Sequence, residues 1–257
     1  MHYCIQKTGE LYTMPPHRGH LPQVEQPASL AELARTAIER AILAGTYLPG
    51  ERLVEERLCE HLGISRPPLR EALRQLSFTG IVEHTPRKGV RVMAMTQHDV
   101  YEILTFRREL ERMALRLALP GLDPGRLDEC RAALERMWPV AEAGDEGGLV
   151  AAGFEFHLSV IRLAHHKRIE QAFRSMSLQL QLCMAMNNRV RRDVEDLKGN
   201  VQRHEELLAV IVTEDRDRIE AAFDAHGNAT FVRASLDELE GGSNQSAKWF
   251  AGFLDRH

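Results

Sequence analysis

No stretch of the sequence is apolar over the roughly 20 residues that a membrane-spanning helix needs. The first 27 residues are rich in proline and lack the apolar segment of a secretory signal. Internal repeats and low-complexity segments are also lacking. With 257 residues, 44% of them hydrophobic, the chain is long enough for two domains with two cores. We therefore expect a cytoplasmic globular protein with no membrane partner.

Cysteine is scarce, and no two cysteines have the spacing of a CxxC pair. Cys4 lies in the proline-rich tail, whereas Cys59, Cys130 and Cys183 fall within helical patterns. This distribution disfavours both a zinc ribbon and a disulfide framework. We expect reduced, structural thiols.

The chain also lacks the net positive charge typical of a protein that binds nucleic acid, because its formal charge is −4. The charge is distributed unevenly, however. Residues 28–95 carry 10 Arg or Lys against 8 Glu, a balance of +2, which leaves −6 for the remainder. Within residues 66–91 the balance is 6 basic against 2 acidic residues, or +4. A local basic surface of this kind indicates a polyanion partner.

Hydrophobic periodicity in residues 28–95 predicts three helices followed by a hairpin. The helices are predicted at residues 29–44, 54–62 and about 66–78, and the strands at 81–84 and 90–93. Gly63 is expected to end the second helix. Pro67-Pro68 suits the start of the third, since the first N–H groups of a helix have no intrahelical acceptor. With a basic turn over 85–89, this order is that of a winged helix-turn-helix domain.

The pattern after residue 95 is helical almost throughout. Six helices are predicted, at about residues 96–119, 124–143, 147–164, 167–188, 190–212 (a broken stretch) and 214–239. The predicted fold is therefore mainly α, with an N-terminal winged helix-turn-helix domain followed by an all-α antiparallel helical bundle. The predicted domains are an N-terminal tail (1–27), the DNA-binding domain (28–95), the bundle (96–240) and a loosely held C-terminal tail (241–257).

Arginines cluster at the start of the third helix, which is the helix that enters the major groove in a helix-turn-helix. Arginine there can donate two hydrogen bonds to guanine, and we assign this role to Arg66 and Arg70. The basic residues better placed for phosphates are Arg74, Arg87 and Lys88. Gly89 allows the wing to turn tightly. The alternative, a solvated row of arginines with ion-pair partners, does not account for the helix-turn-helix and hairpin around them.

Three of the twelve histidines lie on apolar faces of bundle helices: His157, His204 and His226. A lone histidine on such a face is more often a core residue than a ligand, but three on three helices can converge on one cavity. Neutral imidazoles bind Zn²⁺ and related divalent ions. His165 and His166, at a helix end, are expected to face solvent.

Three motifs carry a family resemblance: LPGERL (48–53), LGISR (62–66) and LREAL (69–73). They resemble the N-terminal domain of the GntR family of bacterial transcription regulators, and the bundle resembles the FCD domain of its FadR-type branch. The resemblance implies a homodimeric, ligand-responsive regulator, most simply a repressor, that binds operator DNA and has no catalytic activity. Its DNA-contacting positions map onto Ser65, Arg66, Pro67, Arg70 and the wing at 87–89. Two positions depart from the pattern, since Pro67 replaces a common threonine and Glu56 a common arginine.

The resemblance also implies a metal site, because FCD domains of the metal-binding type use three histidines that match His157, His204 and His226 in order. Zn²⁺ or Ni²⁺ is the cofactor expected there. The family places an aspartate four residues before the first histidine, where this chain has Gly153, and Glu155 lies on another face of the helix. Two hypotheses stay open: a three-histidine metal site completed by water or by an effector carboxylate, or a metal-free cavity that binds an anion directly.

Arg107 and Glu111 match an Arg-xxx-Glu pattern of FCD domains. They form either an i,i+4 ion pair on the surface or a pair in which Arg107 reaches the cavity and meets an anionic effector, a small organic acid or sugar acid. Two rival functions are a metal-dependent hydrolase at the three histidines and a constitutive architectural DNA-binding protein. The hydrolase lacks a positioned general base or nucleophile, and the second rival leaves a bundle of some 145 residues unexplained.

Overall fold

The computed structural model describes residues 28–85, 87, 89–192, 195–226 and 239–254. Several sequence predictions therefore lie outside the described residues. They concern the tail 1–27 with Cys4, Lys88 at the wing tip, and residues 227–238 of the last predicted bundle helix.

The N-terminal domain contains three helices and a small antiparallel sheet. Its elements are α1 (Leu30–Leu43), β1 (Arg52–Leu53), α2 (Glu55–Leu62), α3 (Arg66–Thr79), β2 (Val82–Thr85) and β3 (Gly89–Val92). The strand order is β1-β3-β2, so β3 lies in the centre of the sheet. The sequence did not predict β1, because two residues are too short to show an alternating pattern.

Local signals set the ends of these helices. Ser29 and Glu32 form a capping box at the start of α1. Gly63 ends α2 in the left-handed conformation with φ 63°. The third helix begins at Arg66 with Pro67 in its first turn, as predicted, and buries Leu69, Ala72, Leu73 and Leu76. The arginines at its start are therefore fixed relative to the core of the domain.

The remaining described residues form nine helices. They are α4 (Gln97–Ala118), α5 (Pro124–Glu135), α6 (Met137–Glu142), α7 (Glu146–Arg162), α8 (Lys167–Ser175), α9 (Ser177–Arg191), α10 (Leu197–Ile211), α11 (Arg216–Ala225) and α12 (Asn244–Leu254). Two predicted helices are each divided into two, at Arg136 and at Met176. Pro139 explains the first division, because it has no N–H for the carbonyl of Glu135, where α5 ends.

The prediction of a loosely held C-terminal tail is wrong for residues 241–254. Residues 244–254 form α12, which packs against α4 and buries Phe250 and Phe253 almost completely. The ring of Trp249 meets that of Tyr101 edge to face, with centroids 5.7 Å apart. Apolar residues on one face of this helix bury enough area to hold it against the bundle.

The prediction of one core per domain is also wrong. One buried cluster runs from the N-terminal domain, with Leu69 and Val92, into the bundle, with Phe154 and Leu180. A second cluster, which includes Phe156, lies wholly within the bundle. The two domains therefore share apolar packing and are not joined by a linker alone.

The domains approach most closely between α1 and α7. A Cβ atom on Gly147 would lie 2.4 Å from the carbonyl oxygen of Arg40. Nearby, Arg192 donates a hydrogen bond of 2.6 Å to the carbonyl of Ala44 at the end of α1. Since α7 also carries His157, one rigid element links the histidines to the DNA-binding domain.

We expect Gly147→Ala to lower the free energy of unfolding by about 1–3 kcal/mol, because the two helix backbones must separate. The loss should occur although alanine is intrinsically the better helix former by about 1 kcal/mol. Chemical denaturation measures it. Gly125→Ala is the matched control, since Gly125 is an exposed glycine in the first turn of α5 and a Cβ there lies 3.3 Å from a side-chain oxygen, Oδ1 of Asp123, and meets no backbone atom. A Gly147→Ala protein as stable as wild type would contradict the tight contact.

Candidate DNA surface and histidine cavity

The N-terminal end of α3 presents an exposed polar surface. Ser65, Arg66 and Pro67 are all exposed there. Arg70 follows one turn later with 64% of its side chain exposed, and its Nε lies 3.0 Å from Oε2 of Glu55 on α2. An exposed ion pair of this kind contributes little to stability. Glu55 therefore orients Arg70 without withdrawing it from solvent.

Arg74 has a different environment. Its guanidinium donates two hydrogen bonds, of 2.9 and 2.6 Å, to the carboxylate of Glu71. Hydrogen bonds from Arg74 and Gln75 lower the pKa of Glu71 to about 2. The guanidinium carbon also lies 5.1 Å from the ring centroid of the exposed Phe78, a cation–π contact that the sequence did not predict. Arg74 can contact a DNA phosphate only if its guanidinium gives up its hydrogen bonds to the carboxylate of Glu71.

The wing adopts the tight turn expected of it. Gly89 has φ 85°, a conformation that favours glycine. Arg87 is exposed and also has a positive φ, 66°, which was not predicted. Between the wing and α3 lies a groove of about 460 Å³ that is lined in part by Arg70, Arg74 and His84.

The three predicted histidines converge, with one ligand nitrogen from each lying within 4.8 Å of the others. The ring centroids of His157 and His204 are 5.3 Å apart, those of His157 and His226 are 5.3 Å apart, and those of His204 and His226 are 4.6 Å apart. His157 comes from α7, His204 from α10, and His226 caps the end of α11. We call this set the histidine cluster.

Burial keeps the histidine cluster neutral. It lowers the pKa of His204 to about 4 and the pKa values of His157 and His226 well below the ordinary value. Nδ1 of His204 lies 2.7 Å from the carbonyl oxygen of Asn200 and donates to it, so the proton is on that nitrogen. Its Nε2 is buried and has no hydrogen-bond partner among the described residues. A lone pair fixed in this way suits a metal ion, and the residues present therefore fit one.

Arg107 and Glu111 lie inside the protein beside this cluster and not on the surface. Only 12% and 5% of their side chains are exposed, and Arg107 Nε donates to Glu111 Oε1 at 3.0 Å. Nη2 of Arg107 is 2.9 Å from Nε2 of His157. Burial raises the pKa of Glu111 even though Arg107 opposes the shift. The surface interpretation is therefore wrong, and Arg107 reaches the cavity, while its contact with an anionic effector stays a prediction.

Gly153 faces the histidine cluster, as the i−4 spacing from His157 predicted. A Cβ at this position would lie 3.8 Å from Nε2 of His204 and 2.9 Å from Cε of Met184. Glu155 is exposed and takes no part. Met184 was not predicted at this site, because the position of α9 beside α7 follows from tertiary packing and has no local signal.

The cavity beside Arg107 is small. Arg107, Arg108, Glu111, Trp249 and Phe253 are among the residues that line a space of about 30 Å³. This volume accommodates about one water molecule. A larger ligand requires a shift of α12 or of its aromatic side chains.

Two further observations concern predicted features. His165 and His166 are exposed, as expected, and His166 Nδ1 accepts a hydrogen bond from the backbone of Ile169 at the start of α8. Within the described part of the chain, no helix is both long and apolar enough to cross a bilayer.

Comparison with known proteins identifies two domains. Residues 30–92 match the bacterial regulatory proteins of the gntR family, and residues 102–229 match the FCD domain. The chain is 32% identical over 158 residues to a probable D-xylose utilization operon transcriptional repressor of Paenarthrobacter nicotinovorans, covering 62% of this chain and 70% of the relative. It is 25% identical over 201 residues to the gluconate operon transcriptional repressor of Bacillus licheniformis, covering 77% and 81% of the two chains.

Solved structures share the fold. The Escherichia coli protein McbR aligns with a TM-score of 0.53 at 23% identity, over 82% of this chain and 99% of that one. A putative GntR regulator from Rhodococcus sp. RHA1 aligns with a TM-score of 0.55 at 24% identity, over 80% and 97%.

Proposed function

The chain belongs to the GntR family of bacterial transcription regulators, with a DNA-binding domain followed by an FCD domain, and on this premise we propose that it is a ligand-released repressor. The family and the relatives are transcriptional regulators and not enzymes, so the hydrolase alternative is set aside. In our proposal the protein acts in the cytoplasm as a homodimer on double-stranded operator DNA. The finer assignments rest on the geometry of the site.

For the DNA surface, we assign Arg66 and Arg70 to base readout because both are exposed at the start of α3. The residues assigned to the DNA backbone or to shaping the wing are Ser65, Pro67, Arg74, Arg87, Lys88 and Gly89. Two such helices in a dimer read two half-sites. An exposed apolar stripe on α4, formed by Phe106, Met113 and Leu117, supports pairing of two chains.

For the effector, we propose a small organic acid or sugar acid. The observation that carries this proposal is the buried contact of Arg107 with His157, beside two more neutral imidazoles. A guanidinium pairs more strongly with a carboxylate than with a neutral imidazole, so an effector carboxylate is expected to displace His157 from Arg107. The name of one relative, a gluconate operon transcriptional repressor, agrees with an acid of this kind, because gluconate is a sugar acid.

We further propose that the histidine cluster holds a divalent metal, Zn²⁺ or Ni²⁺, with His157, His204 and His226 as ligands. Such an ion supplies a Lewis acid that attracts a carboxylate oxygen. Arg107 occupies a nitrogen of His157 in the structure, so an effector that pairs with Arg107 leaves that nitrogen available. Effector and metal are therefore expected to favour each other's binding.

Release from DNA requires that the effector favour one arrangement of the domains, because a ligand with equal affinity for both shifts nothing. The helix α7 is suited to this coupling. It carries His157 in the cavity and contacts α1 of the DNA-binding domain at Gly147. A shift of His157 away from Arg107 is expected to move α7 against α1.

The test is a panel of small mono- and dicarboxylates, including gluconate, in thermal-shift and operator-release assays. We expect at least one carboxylate to stabilise wild-type protein and to release it from DNA, and His157→Ala to lose both responses. His165→Ala, which alters an exposed histidine, is the matched control and should respond like wild type. Stabilisation by neutral amines or lipids but never by carboxylates, or indifference to His157, would contradict the proposed effector site.

A further inference from the structure

Two methionine side chains fill the space beside Gly153. The point that a Cβ of this residue would occupy lies 2.9 Å from Cε of Met184 and 3.8 Å from Cε of Met137. It also lies 3.8 Å from Nε2 of His204, the buried nitrogen that has no hydrogen-bond partner among the described residues. The side of the histidine cluster that faces Gly153 is therefore lined by the methyl ends of two methionines.

The nearest buried carboxylate is already neutralised. Oε1 of Glu111 lies 3.0 Å from Nδ1 of His157, but the same oxygen accepts a hydrogen bond from Arg107 at 3.0 Å. The group of three imidazoles and the thioether side chains is therefore uncharged. A divalent ion in such a buried site would keep its full charge without an anionic ligand, which is costly in a low-dielectric interior. A monovalent cation has a smaller desolvation penalty.

The softness of the available ligand atoms also favours a monovalent ion. Thioether sulfur is a soft, polarizable ligand that selects Cu(I), whereas carboxylates suit harder ions. Imidazole accepts copper as readily as zinc. Met184 is flexible and only half-buried, so its sulfur, one bond from the methyl group beside Gly153, can turn toward the cluster.

We propose that Met184 completes the histidine cluster through its thioether sulfur, and that the site therefore selects Cu(I) over Zn²⁺ and Ni²⁺. The inference rests on the metal site of the proposed function and changes the metal ion that is expected there. It assigns Gly153 a role as well, since the absence of a side chain there leaves room for the methionine.

The experiment is an anaerobic competition of the full-length, untagged protein with a chromophoric Cu(I) chelator, bicinchoninate, and a parallel titration with Zn²⁺. Met184→Leu keeps the volume and apolar character, so the fold should persist. We expect it to weaken Cu(I) binding by about tenfold or more and to leave Zn²⁺ binding within about threefold. Met95→Leu, a buried methionine at the end of the DNA-binding domain, is the matched control and should match wild type.

Gly153→Asp is the reciprocal variant. A Cβ there meets the end of a flexible side chain, which can move aside, and the new carboxylate should strengthen Zn²⁺ binding and weaken Cu(I) binding. X-ray absorption of the Cu(I)-loaded protein gives a second measurement. A copper–sulfur shell is expected in wild type and should disappear in Met184→Leu.

The outcomes separate this inference from the proposed metal site. A sulfur shell that persists in Met184→Leu would assign the sulfur to Met137 or to a cysteine and overturn the role of Met184. Binding of Zn²⁺ through the three histidines without preference for Cu(I) would overturn the selectivity and leave the proposed site standing. Failure to bind Cu(I), Zn²⁺ and Ni²⁺ alike would overturn both.

Discussion

Arg70→Ala is expected to weaken binding to the specific operator by about 10- to 100-fold, because one bidentate arginine–guanine contact contributes about 1–3 kcal/mol. Binding to nonspecific DNA should change much less. Arg70 is one turn into α3, has 64% of its side chain exposed, and is oriented by Glu55 from the neighbouring helix. An arginine held in this way loses less conformational freedom when it meets a base.

The measurement is a fluorescence-anisotropy titration at fixed salt, with an operator selected from random DNA by the wild-type protein and a scrambled duplex of equal length. Arg74→Ala is the matched control, since Arg74 lies one turn further along the same helix and already pairs with Glu71. Arg74→Ala should weaken binding to both DNA duplexes by similar factors and reduce the salt dependence of binding. If Arg70→Ala lowered the affinity for the operator and for the scrambled duplex by the same factor, the assignment of Arg70 to base readout would be wrong.

Much of the DNA-binding domain could be predicted from the sequence because its signals are local. Ser29, Gly63 and the Pro67-Pro68 pair each act within one turn of the helix that they start or end, so the predicted bounds of α1 to α3 agree with the structure to within one or two residues. The strand β1 was missed because it consists of two residues and pairs with β3 about 40 residues away in sequence.

The histidine cluster was predictable for a different reason. Each histidine stands where the helical pattern places an apolar residue, and a polar group repeated at such positions needs a partner. His157 and His204 are buried on α7 and α10, whereas His226 lies at the C-terminal end of α11. Which groups complete the cavity was not predictable, because they come from elements whose packing has no local signature. Met184 reaches Gly153 from α9, and α12 closes the far side with Trp249.

The shared core also bears on how a signal can cross the molecule. With Leu69 of α3 and Phe154 of α7 in one buried cluster, a movement of α7 is resisted by close packing on both sides of the domain boundary. Such packing favours two discrete arrangements over gradual bending. This is the physical basis for expecting operator release to be a switch between states.

His204→Ala is expected to abolish metal binding by the purified protein. The variant removes the one buried imidazole nitrogen that has no partner among the described residues, and it leaves two histidines where three are needed to hold an ion against dialysis. In wild type, bound metal should raise the free energy of unfolding by about 2.7 kcal/mol when its free concentration is 100 times the dissociation constant. The free energy of unfolding of His204→Ala should not change when metal is added.

The measurement combines elemental analysis of untagged protein, loaded with Zn²⁺, Ni²⁺ or Cu(I) and then dialysed, with denaturation in the presence and absence of each ion. Ser159→Ala is the matched control, because Ser159 is an equally buried polar residue of α7 whose hydroxyl donates to the carbonyl of Phe156. It should retain about one ion per chain. Binding to nonspecific DNA should be unchanged in His204→Ala, since α1 to α3 hold none of the three histidines. If wild type and His204→Ala are equally devoid of metal after loading, the cluster is a metal-free anion site, and the carboxylate would then be held by Arg107 and the imidazoles alone.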